Sequence, residues 1–350
     1  MKNLRTLAQT TSALLLALSV SGCQKEFIDD PREIACQNFN KGSVTKLSPF
    51  KNQVWADEFN GAVAGDSCYT RKPTCLRRLD WGSAWDCEDP NLDIPGLNKC
   101  NWNVWEGYSF WTNDRKAAFD PKRIRIQGGS LILTIGANPG PVGECGARNG
   151  VDPFDHNYYG RDCAVTTGGV SSNKIDGYGY FTDGKTVGEG RIEMRARVRA
   201  ENGTWPALWM WEQDSTHRPR ISEIDIMENI GTGGGTIFPF QTLHTWPAQD
   251  KTIGHIQSGS TTVAPLPAGE WHTYGVERNG STLKFYVDGC YSREVNNGDI
   301  SFSNEGPLLV DNAQMYLILG LGADKNSGPA FQGTNLTSTL EIDYVRVYGR

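Results

Sequence analysis

Four features are missing from this 350-residue sequence, and each absence excludes a class of protein. No two cysteines stand in the C-x-x-C spacing of a zinc ribbon or finger, which argues against a zinc site. No apolar run can cross a bilayer as a permanent helix; the stretch from Leu14 to Val20 is far too short. There is no basic excess: 34 Lys and Arg face 40 Asp and Glu, a net of −6, the wrong sign for a nucleic-acid partner. Finally, no segment sustains the 3.6-residue apolar period of a helix. Internal repeats are absent too, and the one low-complexity tract is Gly231–Gly235. What is abundant is glycine, 40 residues, with 11 Trp and 12 Tyr. Together with 38% hydrophobic and 21% charged residues, this composition fits a soluble protein of many short strands joined by tight turns.

The N-terminus reads as a removable leader. Lys2 and Arg5 form a charged head, Leu14 to Val20 an apolar centre, and Val20-Ser21-Gly22-Cys23 places small residues before a cysteine. That ending resembles the bacterial lipobox, which implies cleavage after residue 22 and lipid on Cys23. Ordinary secretory cleavage with Cys23 unmodified is the alternative. Loss of residues 1–22 removes two bases and no acid, so the net charge moves to −8. Residues 23–53, polar and aperiodic, fit a tether. The expected location is the cell envelope, at the outer membrane or cell surface, with the N-terminal lipid as the sole membrane contact and a monomeric domain beyond it. Eight cysteines remain, an even number that points to disulfides in an exported chain. Four of them crowd into 68–100, so 62–101 reads as a stapled insertion with little core of its own.

From residue 54 to 350 the pattern is that of one all-β domain. Arg123 to Ile126 and Leu131 to Ile135 flank Gly128-Gly129 as a hairpin. Residues 191–199 alternate strictly between apolar and charged. His272 to Val276 and Leu283 to Val287 form a second hairpin around Asn279-Gly280, closed by Asp288-Gly289. In 342–348, Val345 and Val347 share a face. The expected architecture is a sandwich of two antiparallel sheets.

The chemistry concentrates in Ser222-Glu223-Ile224-Asp225-Ile226-Met227-Glu228-Asn229. Side chains alternate along a strand, so Glu223 and Asp225 share one face while Ile224 and Ile226 enter the core. Glu228 has the wrong parity, and one extra residue near Ile226-Met227, a β-bulge, would return it to the acidic face. Three carboxylates on one face repel one another unless a reaction uses them. Glycoside hydrolysis does, with one carboxylate as nucleophile and a second, held protonated, as acid. A solvated acidic edge or a calcium site is the plainer alternative. Upstream, Trp209 and Trp211 share a strand face, as sugar-stacking aromatics would. Downstream, Thr242, His244 and Trp246 share another.

Five stretches carry a resemblance: Trp55 to Gly61, Gly190 to Ala196, Trp205 to Met210, Glu223 to Glu228 and Ile342 to Tyr348. Their order is similar to that of glycoside hydrolase family 16, over about 54–349. The resemblance implies a concanavalin-like β-jelly roll and a retaining endo-hydrolase of a polysaccharide. It implies Glu223 as nucleophile, Asp225 as assisting acid and Glu228 as general acid/base. It also implies substrate contacts at Trp209, Trp211, His244, Trp246 and Tyr108, no required cofactor, and a structural calcium near Asp343. The bulged form of the motif resembles the branch holding laminarinases, agarases and carrageenases.

Trp205-Pro206-Ala207-Leu208-Trp209-Met210 most resembles laminarinases, which implies β-1,3-glucan as substrate. A marine galactan hydrolase of the agarase, porphyranase or carrageenase type, and a non-catalytic carbohydrate-binding lipoprotein on the same scaffold, are the alternatives. The chain departs from the laminarinase pattern at His217-Arg218-Pro219-Arg220, where a Trp-Pro pair is usual. Arg218 and Arg220 read either as a solvated loop or as sulfate contacts.

Overall fold

A computed structural model of the chain describes residues 47–61, 75–76, 86–87, 94–98, 101–104, 107–108, 117–137, 165–172, 186–199, 203–212, 220–230, 235–247, 256–258, 261–263, 265–299, 301–302, 306–307, 313–323 and 338–350. The leader, Cys23 and most of the cysteine-rich insertion lie outside the described residues. Twelve strands organise the fold: β1 (Asn52–Asp57), β2 (Ile124–Gln127), β3 (Ser130–Ala137), β4 (Gly190–Arg199), β5 (Thr204–Glu212), β6 (Arg220–Glu228), β7 (Phe240–Pro247), β8 (Trp271–Asn279), β9 (Thr282–Val287), β10 (Cys290–Asn296), β11 (Met315–Ala323) and β12 (Thr339–Gly349).

They form the two sheets expected of a jelly-roll sandwich. The back sheet runs β10-β9-β8-β4-β12-β3 and continues through short strands at 165–167, 117–119 and 107–108. β1 joins it on β12, and β2 on β3. The second sheet, which carries the acidic strand, runs β7-β6-β5-β11 with shorter strands at either side. Pairing between these twelve strands is antiparallel throughout, whereas the short strands 117–119 and 165–167 lie parallel.

Alternation in the sequence decides which side of each sheet turns inward. In β4 the even-numbered Ile192, Met194, Ala196 and Val198 are buried while their neighbours are partly exposed. They meet Leu208 and Met210 of β5, Ile224 and Met227 of β6, and Leu317, Leu319 and Leu321 of β11 in one apolar core. Burial of each of these side chains larger than Ala196 stabilises the fold by about 1.5–3 kcal/mol. The turns follow the residues that permit them. Gly128 and Gly129 have φ of 61° and 75°, and Asp288-Gly289 has 49° and 77°, positive at both central positions as a tight hairpin requires. The hairpin between β8 and β9 turns on Gly280-Ser281, one residue later than the sequence suggests, because Asn279 still pairs with Thr282.

Two features hold the ends of the chain together. β1 pairs with β12 from Asn52 opposite Gly349 to Asp57 opposite Val345. Asp57 then accepts three hydrogen bonds, from Phe59 N (2.9 Å), Asn101 Nδ2 (2.9 Å) and Trp102 Nε1 (2.8 Å), while Glu58 makes a two-pronged ion pair with Arg346. In the insertion, Cys75 stands directly opposite Cys87 in a two-residue ladder.

Candidate active site

The outward face of the second sheet is assembled by register. β11, β5, β6 and β7 lie side by side, so residues in register form rows across them. One row reads Tyr316, Trp211, Glu223, His244; the next reads Ile318, Trp209, Asp225, Thr242; a third reads Gly320, Ala207, Glu228, Phe240. The third row exists because β6 carries one residue more than its neighbours. Asp225 pairs with Thr242 and Glu228 with Phe240, so three steps on β6 match two on β7, and β5 shows the same slip. Ile226 and Met227 both turn into the core, and Glu228 comes out on the face of Glu223 and Asp225. Opposite Glu228 stands Ala207, small enough to leave the carboxyl room.

This face is turned away from the sandwich core, yet Asp225 is only 2% exposed and Glu228 8%. Part of the cover comes from a second apolar cluster of Phe119, Ala207, Trp209, Tyr316 and Ile318, with Trp211 at its margin. Trp209 and Trp211 meet edge to face, ring centroids 6.0 Å apart. Phe119 comes from the far end of the back sheet, and its ring occupies the space a side chain at Gly169 would need.

Burial governs the protons. A carboxylate taken from water loses hydration, so its neutral form is favoured. Asp225 is pushed up to about 8 by burial, opposed by a hydrogen bond with Glu228. Glu228 is raised well above the usual carboxylate range, first by burial and then by the negative charge of Asp225, against His244 and the Trp205 N–H. Two carboxyls that share a hydrogen bond need one proton between them, so this pair holds a proton at neutral pH. Trp205 Nε1 donates to Glu228 Oε1 at 2.9 Å and fixes one of its oxygens. His244 Nε2 stands 2.9 Å from Asp225 Oδ2, at ion-pair distance but not aligned as a hydrogen bond. Glu223, half-buried, has an oxygen within 4.8 Å of both Asp225 and His244. These three are the one group of metal-ligand type found together among the described residues.

The structure thus brings together Glu223, Asp225, Glu228, Trp209, Trp211 and His244. His244 lies within the acidic cluster itself. Trp246 sits in β7 in register with Ile221, and Tyr108 in the short strand beside Ala118; the side chains of both lie outside the described residues. Arg220 opens β6, and Arg218 lies outside the described residues. Asp343 is the extra residue of a bulge in β12, and its carboxylate is 2.5 Å from Arg195 Nη1.

Trp205, Tyr316 and Phe119 are missed by the sequence reading. Trp205 was open to it, because it shares strand parity with Trp209 and Trp211. Tyr316 and Phe119 had no local signal; only the order of strands brings them to the site.

Comparison with known proteins places the chain in a family. The family model "Glycosyl hydrolases family 16" matches residues 165–344. The chain is 30% identical over 313 residues to glucan endo-1,3-β-glucosidase A1 of Niallia circulans, covering 85% of this chain but 38% of that protein. It is 27% identical to a β-glucanase of Rhodothermus marinus, covering 77% of this chain and 85% of the other. Among solved structures, the laminarinase catalytic domain of Thermotoga maritima superposes with a TM-score of 0.53 at 18% identity, covering 85% of this chain and 98% of that one.

Proposed function

Since the chain belongs to glycoside hydrolase family 16, we propose that it is a retaining endo-hydrolase of β-1,3-glucan and uses the bulged form of the family's acidic strand. The observation that carries this reading is that the bulge brings the buried Asp225 and Glu228 onto one face with the less buried Glu223. An acid and a nucleophile need different environments, and one strand supplies both.

The reaction runs in two steps. Glu228 gives its proton to the glycosidic oxygen as the bond from that oxygen to the anomeric carbon breaks, and the Glu223 carboxylate bonds to the same carbon. Water then attacks that carbon, Glu228 takes a proton from it, and the bond to Glu223 breaks with configuration retained. Asp225 shares its hydrogen bond with Glu228 and stands near Glu223, so its charge follows that of the acid. Trp209 and Trp211 offer aromatic surface beside the acids for sugar rings. The leader supports a place in the cell envelope through lipid on Cys23, which the mass of the N-terminal peptide from a native host would test.

The deciding experiment is reducing-sugar release on laminarin, agarose, κ-carrageenan and porphyran by wild type and Glu223→Gln. Activity on laminarin, lowered by roughly a thousandfold or more in the variant, is the expected result. Activity on a galactan alone would replace the glucan by a galactan. Equal activity in the variant would sink Glu223 as nucleophile.

A further inference from the structure

Glu228 reaches the site only through the bulge, and a bulge leaves part of its backbone outside the ladder. Ile226 is fully buried, so its carbonyl needs a partner other than water. Gln241 of β7 supplies it: Nε2 donates to Ile226 O at 3.0 Å. Gln241 is 0% exposed and shares its inward parity with the core residue Leu243. A buried amide is costly unless every polar atom is satisfied, and this one is satisfied from the opposite sheet. Its Oε1 accepts from Ser292 Oγ, and its Nε2 lies 3.5 Å from Tyr286 O.

Ser292 is itself the extra residue of a second bulge. Phe285 pairs with Arg293 and Tyr286 with Tyr291, which leaves Ser292 over. The next residue, Arg293, donates to the backbone oxygens of Gln241, at 2.9 Å, and of Ser258. One amide therefore ties a bulge in β6 to a bulge in β10 across the interior of the sandwich.

We propose that Gln241 is a positioning residue for the acid: by holding the Ile226 carbonyl it fixes the bulge, and so fixes Glu228 beneath the Trp205 N–H. This rests on the hydrolase reading above. The groups facing Glu228 are Asp225 and Glu223 on its own strand, His244 on β7 and Trp205 on β5. A loosened bulge lets water reach the carboxyl pair, weakens the burial that keeps it protonated, and moves the alkaline limb of activity towards acid.

The test uses the full chain with Gln241→Met, which keeps the size and loses both polar atoms, and Gln241→Glu. The glutamate variant is the conservative control, since a fully buried carboxyl keeps its proton and donates it to Ile226 O. On laminarin, the Met variant should lose roughly 10- to 100-fold in kcat with KM nearly unchanged, and its alkaline limb should move to lower pH. The Glu variant should keep most of the wild-type rate and limb. A Met variant that melts earlier yet keeps kcat and the limb overturns the proposal and leaves Gln241 a structural residue. Should Gln241→Met not fold, Ser292→Ala frees the amide from the opposite sheet and should move both readouts the same way by less; unchanged readouts there overturn it equally. Infrared titration of the buried carboxyl pair, read without substrate, separates the two claims. A shifted midpoint in the Met variant alongside a wild type inactive on every glycan sinks the hydrolase reading and keeps the positioning role, whereas an unshifted midpoint sinks the role.

Discussion

Asp225 shows how one residue's surroundings set both activity and stability. Its folded pKa of about 8 lies above the unfolded value, and Glu228 is raised in the same direction. Between pH about 4 and 8 the native state therefore binds more protons than the unfolded chain, and stability falls as pH rises through that window. Asp225→Asn removes one titrating group. Its melting temperature should fall less than that of wild type between pH 5 and 8.5, by several degrees; parallel curves would contradict the assignment. The same sign governs catalysis, because the acid must hold its proton. That the three acids share one face was legible in the sequence, because Glu228 at odd spacing from Glu223 conflicts with strand alternation and only a bulge resolves the conflict. Trp205 needed that parity argument carried one step further. Gln241 was not legible, since nothing local marks a glutamine that will face a serine 51 positions away.

Among the elements, β6 is the most sensitive to length. Insertion of one alanine after Met227 would move Glu228 one further step out of register and turn it into the core, so the variant should lose all measurable hydrolysis and much of its stability. A folded, active insertion variant would mean that the register between Asp225 and Glu228 does not position the acid. In the back sheet, β8 and β9 depend on close approach. The Tyr286 ring lies across Gly275 and donates to Ile192 O at 2.9 Å, and a Cβ at Gly275 would stand 2.1 Å from the Tyr286 Cζ. Gly275→Ala should cost about 3 kcal/mol or more in urea unfolding, since the ring or the strand must move. The sheets themselves were readable from strict alternation in β4 and from the glycine turns. The bulge in β12 was not, because Asp343 is a polar residue between two apolar runs of opposite parity, and either run alone looks regular.

At the scale of the whole molecule, Asp57 joins the N-terminal strand to the loop carrying Asn101 and Trp102. Asp57→Ala would leave buried donors without an acceptor, and its urea midpoint should drop by an amount equal to about 3 kcal/mol; a change below half a kcal/mol would show that the loop rearranges to water. β12 has a wider consequence. It lies in the middle of the back sheet, between β4 on one edge and β3 and β1 on the other, and Asn52 bonds across 298 positions to Arg350. A chain emerging from the ribosome has completed β1, β3 and β4 long before residues 339–349 exist, and until then those strands share no common neighbour. The sheet cannot close during synthesis. A chain cut short before residue 339 would be left with two exposed half-sheets, prey for proteases and for its own kind.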